Sequence, residues 1–285
     1  MFLYLEAKNL LKKNNLILRK RWGQNFLIDS LVYDKIIQSA KLSLNDHVLE
    51  IGAGLGFLTR LLAPKVSKVF TVEIDKKLVF LLQEQLSDFK NVEIINQDIL
   101  KVDLKKLLNN YQEIKKVKVV ANIPYYITSP IIFKLLEYRD IISDITMLTQ
   151  KEVGERIIAA PGRKDYGILS IMVQYYAFAK KAMLVENSSF FPIPKVDSML
   201  INLRILDKPK VSIENEKFFF NLVKTLFHQR RKMIANNLKS YSYNRQVLAK
   251  LFNELKIDPK VRAEMLSIEE IAKLSNSLYK LASSN

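Results

Sequence analysis

Asn122-Ile123-Pro124-Tyr125 is the stretch whose residue types most narrowly restrict the chemistry open to this chain. It follows the apolar run at residues 117–120, which reads as a strand, so the four residues stand where that strand ends. Pro124 disfavours the helical conformation at Ile123 and keeps the chain extended, which fixes the angle of the Ile123 carbonyl. Asn122 adds an amide oxygen beside it, and Tyr125 an aromatic face. Two neutral acceptors and a ring suit a planar base that carries an exocyclic amino group, such as adenine. The competing reading is a strand-ending turn, since Asn and Pro are both common turn residues. The tetrapeptide alone does not separate the two; its surroundings must.

The elements that would position it lie upstream. Residues 48–51 form a short apolar strand, Gly52-Ala53-Gly54-Leu55-Gly56 follows at once, and residues 57–63 have the pattern of a helix. Strand, glycine turn and helix bring bare backbone amides against a ligand at a helix N-terminus. A second strand at 69–72 ends in Glu73, 21 positions beyond Gly52, where an acidic residue would hold a ribose diol. A third at 92–95 leads into Gln97-Asp98-Ile99. A dinucleotide dehydrogenase is the usual rival for such a glycine turn, but its fingerprint needs glycine at position 57, which here is Phe. Gly52, Glu73, Asp98 and Asn122 at four successive strand ends line the crevice of an open α/β sheet. Unconnected surface carboxylates would have to produce that arrangement four times over.

Further blocks follow in order: Gly23-Gln24-Asn25-Phe26-Leu27, Gln150-Lys151-Glu152-Val153, Tyr166-Gly167-Ile168-Leu169-Ser170 with Val173-Gln174-Tyr175-Tyr176, Phe190-Phe191-Pro192-Ile193-Pro194-Lys195-Val196-Asp197-Ser198, and Phe227-His228-Gln229-Arg230-Arg231-Lys232. With these the chain resembles, from about residue 20 into its C-terminal region, the small-subunit ribosomal RNA adenine dimethyltransferases, the KsgA family. These are class I methyltransferases that use S-adenosylmethionine. The resemblance implies that Asn25 and Leu27 close over the cofactor and that Gly52 and Gly54 let the backbone approach it. It implies that Glu73 binds the ribose hydroxyls and Asp98 the cofactor adenine. Asn122 would lie between cofactor and substrate, Tyr125 would stack on the target base, and Phe190 would pack on its other face. The implied target is a pair of adjacent adenosines in a loop near the 3′ end of the small-subunit RNA.

The chemistry agrees with what the chain contains. Methyl transfer from a sulfonium is an in-line displacement, so alignment is the main task. Acceptors from Asn122 and the Ile123 carbonyl would draw the amine hydrogens toward them as positive charge develops on nitrogen, which is where binding accelerates a reaction. Pro124 holds that geometry. No general base is required beforehand, and the only histidines, His47 and His228, fall outside the site motifs and read as structural. A base inside folded RNA must first leave its stack, and rings such as Tyr125 and Phe190 recover part of that cost. For Phe190 alone, core packing is the simpler reading; the Phe-x-Pro-x-Pro setting, which stiffens a loop, favours the site.

Formal net charge is +16, and its distribution is uneven. Residues 1–24 hold six basic residues and one acidic, and residues 208–285 hold 15 and seven, so the segment between is close to neutral. A near-neutral core with basic flanks fits phosphate-binding surfaces. Arg230, Arg231 and Lys232, read as part of a helix, are the densest cluster and the expected RNA contact; a solvated helix face is the plainer alternative. The first 20 residues also have the character of a basic amphipathic helix, which leaves a membrane surface as a minor alternative.

Expected domains are a basic N-terminal segment at 1–24, an S-adenosylmethionine-binding catalytic domain at 25–207 and a helical RNA-binding domain at 208–285. Strand and helix alternate to about residue 160, which argues for a mostly parallel α/β sheet. Residues 182–186 and 196–205 read as added strands closing one edge, and helices are expected at 214–227, 229–238, 244–255 and 267–281. Residues 161–165 read as an exposed loop of unassigned role. The absence of cysteine rules out disulfides and cysteine-ligated metal and fits a reducing cytoplasm, and no metal is expected. No run is long enough to span a membrane. Residues 7–24 contain no acidic residue, so an organellar presequence stays open.

Three rivals are weighed. A large-subunit rRNA adenine methyltransferase shares the cofactor motifs, and Ile123 leans toward it, whereas the 166–176 and 190–198 blocks favour the small-subunit enzyme. A DNA adenine methyltransferase would carry a larger recognition region. A non-enzymatic RNA-binding assembly factor would have no need of Glu73, Asp98, Asn122 and Tyr125 together. The expectation is a monomeric enzyme acting on small-subunit rRNA in the immature small ribosomal subunit.

Overall fold

A computed structural model describes residues 2–16, 18, 23–109, 111, 113–241 and 244–283. The chain runs α1 (Phe2–Lys13), β1 (Phe26–Leu27), α2 (Ser30–Ala40), β2 (His47–Ile51), α3 (Phe57–Leu62), β3 (Lys68–Glu73), α4 (Lys76–Gln85), β4 (Val92–Asn96), α5 (Leu104–Leu108), β5 (Val117–Asn122), α6 (Thr128–Glu137) and β6 (Ile142–Gln150). It continues through α7 (Lys151–Ile158), α8 (Ile168–Tyr176), β7 (Ala177–Val185), β8 (Phe190–Phe191), β9 (Ser198–Ile205), α9 (Glu216–His228), α10 (Ile234–Asn237), α11 (Arg245–Leu255) and α12 (Ile268–Ser283).

Two compact units emerge, Met1–Gly154 with Phe178–Ile205, and Glu155–Ala177 with Leu206–Asn285. The first holds a seven-stranded sheet in the order β4-β3-β2-β5-β6-β9-β7. Strands β4 to β6 are parallel, and β9 runs antiparallel to β6. This is the expected mostly parallel α/β sheet. Its central strands are apolar on both faces: Val48, Leu49, Val69, Phe70, Val119 and Val120 are all buried, as a sheet covered on both sides requires. From β2 the chain steps outward to β3 and β4, then returns to the other side of β2 with β5. That reversal is the switch point at which open α/β sheets bind ligands.

Three sequence expectations need correction. The division does not fall at residue 208 alone, because residues 155–177 pack with the C-terminal helices. The cause is the apolar α8: the Tyr175 ring lies 5.3 Å from Phe219, Tyr166 lies 6.1 Å from Phe227, and the Tyr175 and Tyr176 hydroxyls donate to Glu216. Nor is the N-terminal segment wholly apart. Helix α1 buries Ala7 and Leu11 against the core of the first unit, sets Tyr4 edge-on to Phe191 at 5.3 Å, and pairs Glu6 with Arg60 at 2.6 Å. The apolar stripe read as a possible membrane face is thus spent largely on the protein itself. Residues 17 and 19–22 of this segment lie outside the described residues. Finally, the helix expected at 229–238 is a turn at 229–232 followed by the short α10.

One core feature was not legible beforehand. Glu50, in the middle of β2, is 1% exposed, and one of its oxygens accepts from the hydroxyls of Thr59 at 2.6 Å and Thr71 at 2.7 Å. Burial outweighs these two bonds and pushes the carboxyl up to about 7. The native state therefore keeps a proton that the unfolded chain, titrating near 4.5, has already lost. The stability that Glu50 contributes is lost as pH rises from about 4.5 to about 7. Glu50→Gln, which mimics the protonated form, is expected to flatten that decline and gain on the order of 1–3 kcal/mol above pH 7. Denaturant melts across this range test it; parallel profiles for variant and parent would refute the assignment.

Candidate active site

The parallel register brings the strand ends level. Ile51 lies beside Val72 and Ala121, Glu73 beside Asn96, and Asn122 beside Leu148. A cavity of about 240 Å³ opens above them, lined by Asn25, Gly52, Gly54, Glu73, Asp98 and the run 122–126 among others. Gly52 and Gly54 both hold left-handed backbone, at φ +78° and +56°. A Cβ on Gly54 would meet the Phe26 ring at 3.1 Å, and one on Gly52 would meet the Asn122 carbonyl at 3.4 Å. The left-handed conformation at both positions strains any side chain, so the turn presents bare backbone.

Glu73 is 6% exposed and is held by two backbone donors: Gly54 N–H to one oxygen at 3.0 Å and Asp75 N–H to the other at 2.9 Å. Its pKa is raised, chiefly by burial, with these bonds opposing the shift. A carboxylate has about four acceptor sites, so these two bonds do not exhaust its capacity to accept from a ligand hydroxyl. Asp98 uses one oxygen to cap the turn at Leu100 N, 3.0 Å away, and leaves the other at the cavity. The Asn25 amide donates to the Gly23 carbonyl at 3.1 Å.

On the other side of the cavity, Pro124 has φ −58° and ψ 130°, an extended conformation that precedes the turn at Tyr125. The Asn122 side chain lines the cavity and makes no hydrogen bond with a described residue, which leaves its amide oxygen open as an acceptor. The Tyr125 hydroxyl is hydrogen-bonded to the Ser198 hydroxyl at the start of β9, which fixes the ring, and burial raises its pKa. His47 begins β2, at the far end of that strand from the glycine turn, and His228 is exposed at the end of α9. Among the described residues no group of three or more His, Asp or Glu side chains could hold a metal ion.

Two expected positions are displaced. Leu27 is 1% exposed in the core, and the wall position belongs to its neighbour Phe26. Neighbouring side chains on a strand point to opposite faces, so with Phe26 against Gly54, Leu27 must face inward. Phe190 is also 1% exposed: it pairs with Leu27 across β1 and β8 and is not part of the cavity wall. Three residues at or beside the cavity were not expected from the sequence. Phe26 was inside a recognised block, Ser198 ended another, and Tyr126, 59% exposed at the cavity, directly follows Tyr125. Their types carried no signal of role.

The basic cluster of the second unit is also divided. The Arg230 guanidinium donates to the Lys164 carbonyl at 2.6 Å, the Tyr166 carbonyl at 3.1 Å and Glu264 at 3.0 Å. It clamps the loop at 161–165 and is occupied within the protein. Arg231 and Lys232 are exposed and lie in no ion pair with a described residue.

The donor set fits S-adenosylmethionine: a carboxylate with free acceptor sites at the second strand end, an acceptor at the third, and a glycine turn that a Cβ would block. Residues 15–280 match the family described as ribosomal RNA adenine dimethylase. A relative in Clostridium acetobutylicum, named ribosomal RNA small subunit methyltransferase A, is 42% identical over 274 residues, covering 96% of this chain and 98% of its own length. Among solved structures, a dimethyladenosine transferase from Plasmodium falciparum superposes with TM-score 0.72 at 27% identity, over 90% of this chain and 97% of that one. The 23S rRNA methyltransferase ErmE gives TM-score 0.71 at 28% identity, over 90% and 100%.

The division of the basic cluster is testable. Arg230→Glu should lower the melting temperature by several degrees, since it removes three bonds and sets a carboxylate beside Glu264. Arg231→Glu with Lys232→Glu should leave melting unchanged while weakening binding to small-subunit RNA. Equal melting temperatures for the two variants would show that Arg230 is not a clamp.

Proposed function

The chain belongs to the ribosomal RNA adenine dimethylase family, and from this premise we infer that it dimethylates the exocyclic amines of adenosines in small-subunit (16S) rRNA, with S-adenosylmethionine as methyl donor. The observation that carries the reading is that Glu73, Asp98 and the run Asn122 to Tyr125 meet around one cavity at the switch point of the sheet. When bound, S-adenosylmethionine supplies a methyl group on a positively charged sulfur.

The chain's residues then have distinct tasks. The spare acceptor sites of Glu73 hold the ribose hydroxyls, and the open oxygen of Asp98 takes the amino group of the cofactor's adenine. The glycine turn and Asn25 line the rest of the cofactor's side. The Asn122 amide oxygen and the Ile123 carbonyl accept the hydrogens of the target amine, favouring the tetrahedral nitrogen that develops during attack. Tyr125, steadied by Ser198, stacks on the target base. Acceptor placement supplies the catalysis, and no protein base has to remove a proton first.

The near-full-length relatives are named as small-subunit enzymes, which sets the large-subunit reading second. The finer points are also proposals: two adjacent adenosines as target, the immature small subunit as the partner, a monomeric cytoplasmic enzyme, and RNA contact through Arg231 and Lys232. Among the described residues no helix is long and apolar enough to cross a membrane.

Asn122→Ala is expected to cut turnover by about 10²-fold or more while S-adenosylmethionine affinity, read by calorimetry, stays within about twofold of the parent. Parental turnover would remove the central claim. The reaction itself is checked by incubating the enzyme with S-adenosylmethionine and unmethylated small subunits, then analysing the rRNA nucleosides by mass spectrometry. Dimethyladenosine is the expected product. Product on large-subunit RNA alone would transfer the assignment to that class.

A further inference from the structure

A second cleft, of about 220 Å³, lies at the opposite end of the same sheet and within the first unit. Its wall includes Lys41 after α2, Lys118 in β5, Asp144 in β6, Phe178 and Lys180 in β7, and Arg204 in β9. Lys118 and Asn122 are four residues apart on β5, about 13 Å along the strand. The cleft is therefore at the strands' starts and the cavity at their ends.

Its charges are not balanced. Lys118 is committed inside the protein, donating to the Lys41 carbonyl at 2.7 Å and to Asp46 at 2.9 Å, where it pins the end of α2. Lys41, Lys180 and Arg204 lie in no ion pair with a described residue and face Asp144 alone. Phe178 is 56% exposed, with the Arg204 guanidinium 5.7 Å from its ring centroid. It sits on β7, the edge strand of the sheet. An exposed ring on an edge is normally a liability; beside a guanidinium, in a cleft that also holds two lysines, it can serve as a stacking platform with phosphate ligands nearby. The methylation chemistry of the other cavity makes no use of any of these groups.

We propose that this cleft is a second RNA-binding site, taking an unpaired nucleotide of the substrate rRNA away from the methylated segment. The base stacks on Phe178, Lys41, Lys180 and Arg204 hold its phosphates, and Asp144 accepts from a base amino group. This rests on the functional reading above. Charge complementarity names the occupant: three cations against one carboxylate, in a cleft that also holds an exposed ring, suit a nucleotide better than an acidic peptide, which has no planar group to cover the ring.

The test compares full-length Lys180→Glu/Arg204→Glu and Phe178→Ala with the parent, using small-subunit RNA in filter binding across a salt series. Each variant should bind the RNA about tenfold more weakly, and the charge reversal should reduce the salt slope by about two. Phe178→Tyr should restore binding, and S-adenosylmethionine affinity and melting temperature should not move. Parental affinity and slope in both variants would overturn the proposal. So would weaker binding to whole subunits with unchanged binding to free RNA, because the contact would then be to protein. Phe178→Ala alters no charge and keeps the test decisive if the double reversal fails to fold. A parent enzyme that methylates no small subunits would strike the functional reading, whereas a methylating parent with indifferent variants strikes this inference alone.

Discussion

The hydrogen bond from the Gly54 amide to the Glu73 carboxylate joins the turn after β2 to the end of β3. It is made possible by a left-handed glycine and by parallel strands in register, and the cofactor side of the cavity is arranged around it. Because Asp75 N–H holds the other oxygen, the carboxylate is fixed at both ends where it lines the cavity. Such preorganisation is what lets a polar group act without reorganising when the reaction occurs. The buried Glu50 lies one strand inward and answers to Thr59 and Thr71 instead. Two acidic residues of neighbouring strands thus differ in role because one has backbone donors at a cavity and the other only hydroxyls in the core.

Much of this was legible from the chain alone, for physical reasons. Glycines, acidic residues and the Asn-x-Pro-Tyr run fall at strand ends, where backbone geometry dictates residue type, so the meeting of Gly52, Gly54, Glu73, Asp98 and Asn122 at one cavity could be read from the sequence. Orientation within a two-residue strand could not. Phe26 and Leu27 differ only in which face they take, and that face is chosen by the β8 partner more than 160 residues on. Phe190 failed as a cavity residue for the same cause, since its place in the sequence motif says nothing about its burial. Glu50 was hidden because its hydroxyl partners lie nine and 21 residues away on separate elements.

The second unit gives the complementary lesson. Three adjacent cations look equivalent in sequence, yet Arg230 is drawn into a carbonyl-and-carboxylate pocket while Arg231 and Lys232 remain at the surface. A single Arg230 nitrogen, Nη2, reaches two carbonyls and a carboxylate, so this cation is satisfied within the protein. Charge counting identifies a basic region but not which of its members is free. The recruitment of α8 has a similar origin: an apolar helix packs where aromatic rings await it, whatever its place in the chain.

The bond between Tyr125 and Ser198 has an evolutionary side. Glu73, Asp98 and the glycine turn are assembled from a continuous stretch of under a hundred residues, whereas the Tyr125 ring is held by a strand 73 positions further on. The donor half and the acceptor half of the site can therefore drift separately. A lineage can exchange the region around β9 and re-aim the ring toward a different nucleotide setting while inheriting the donor half intact.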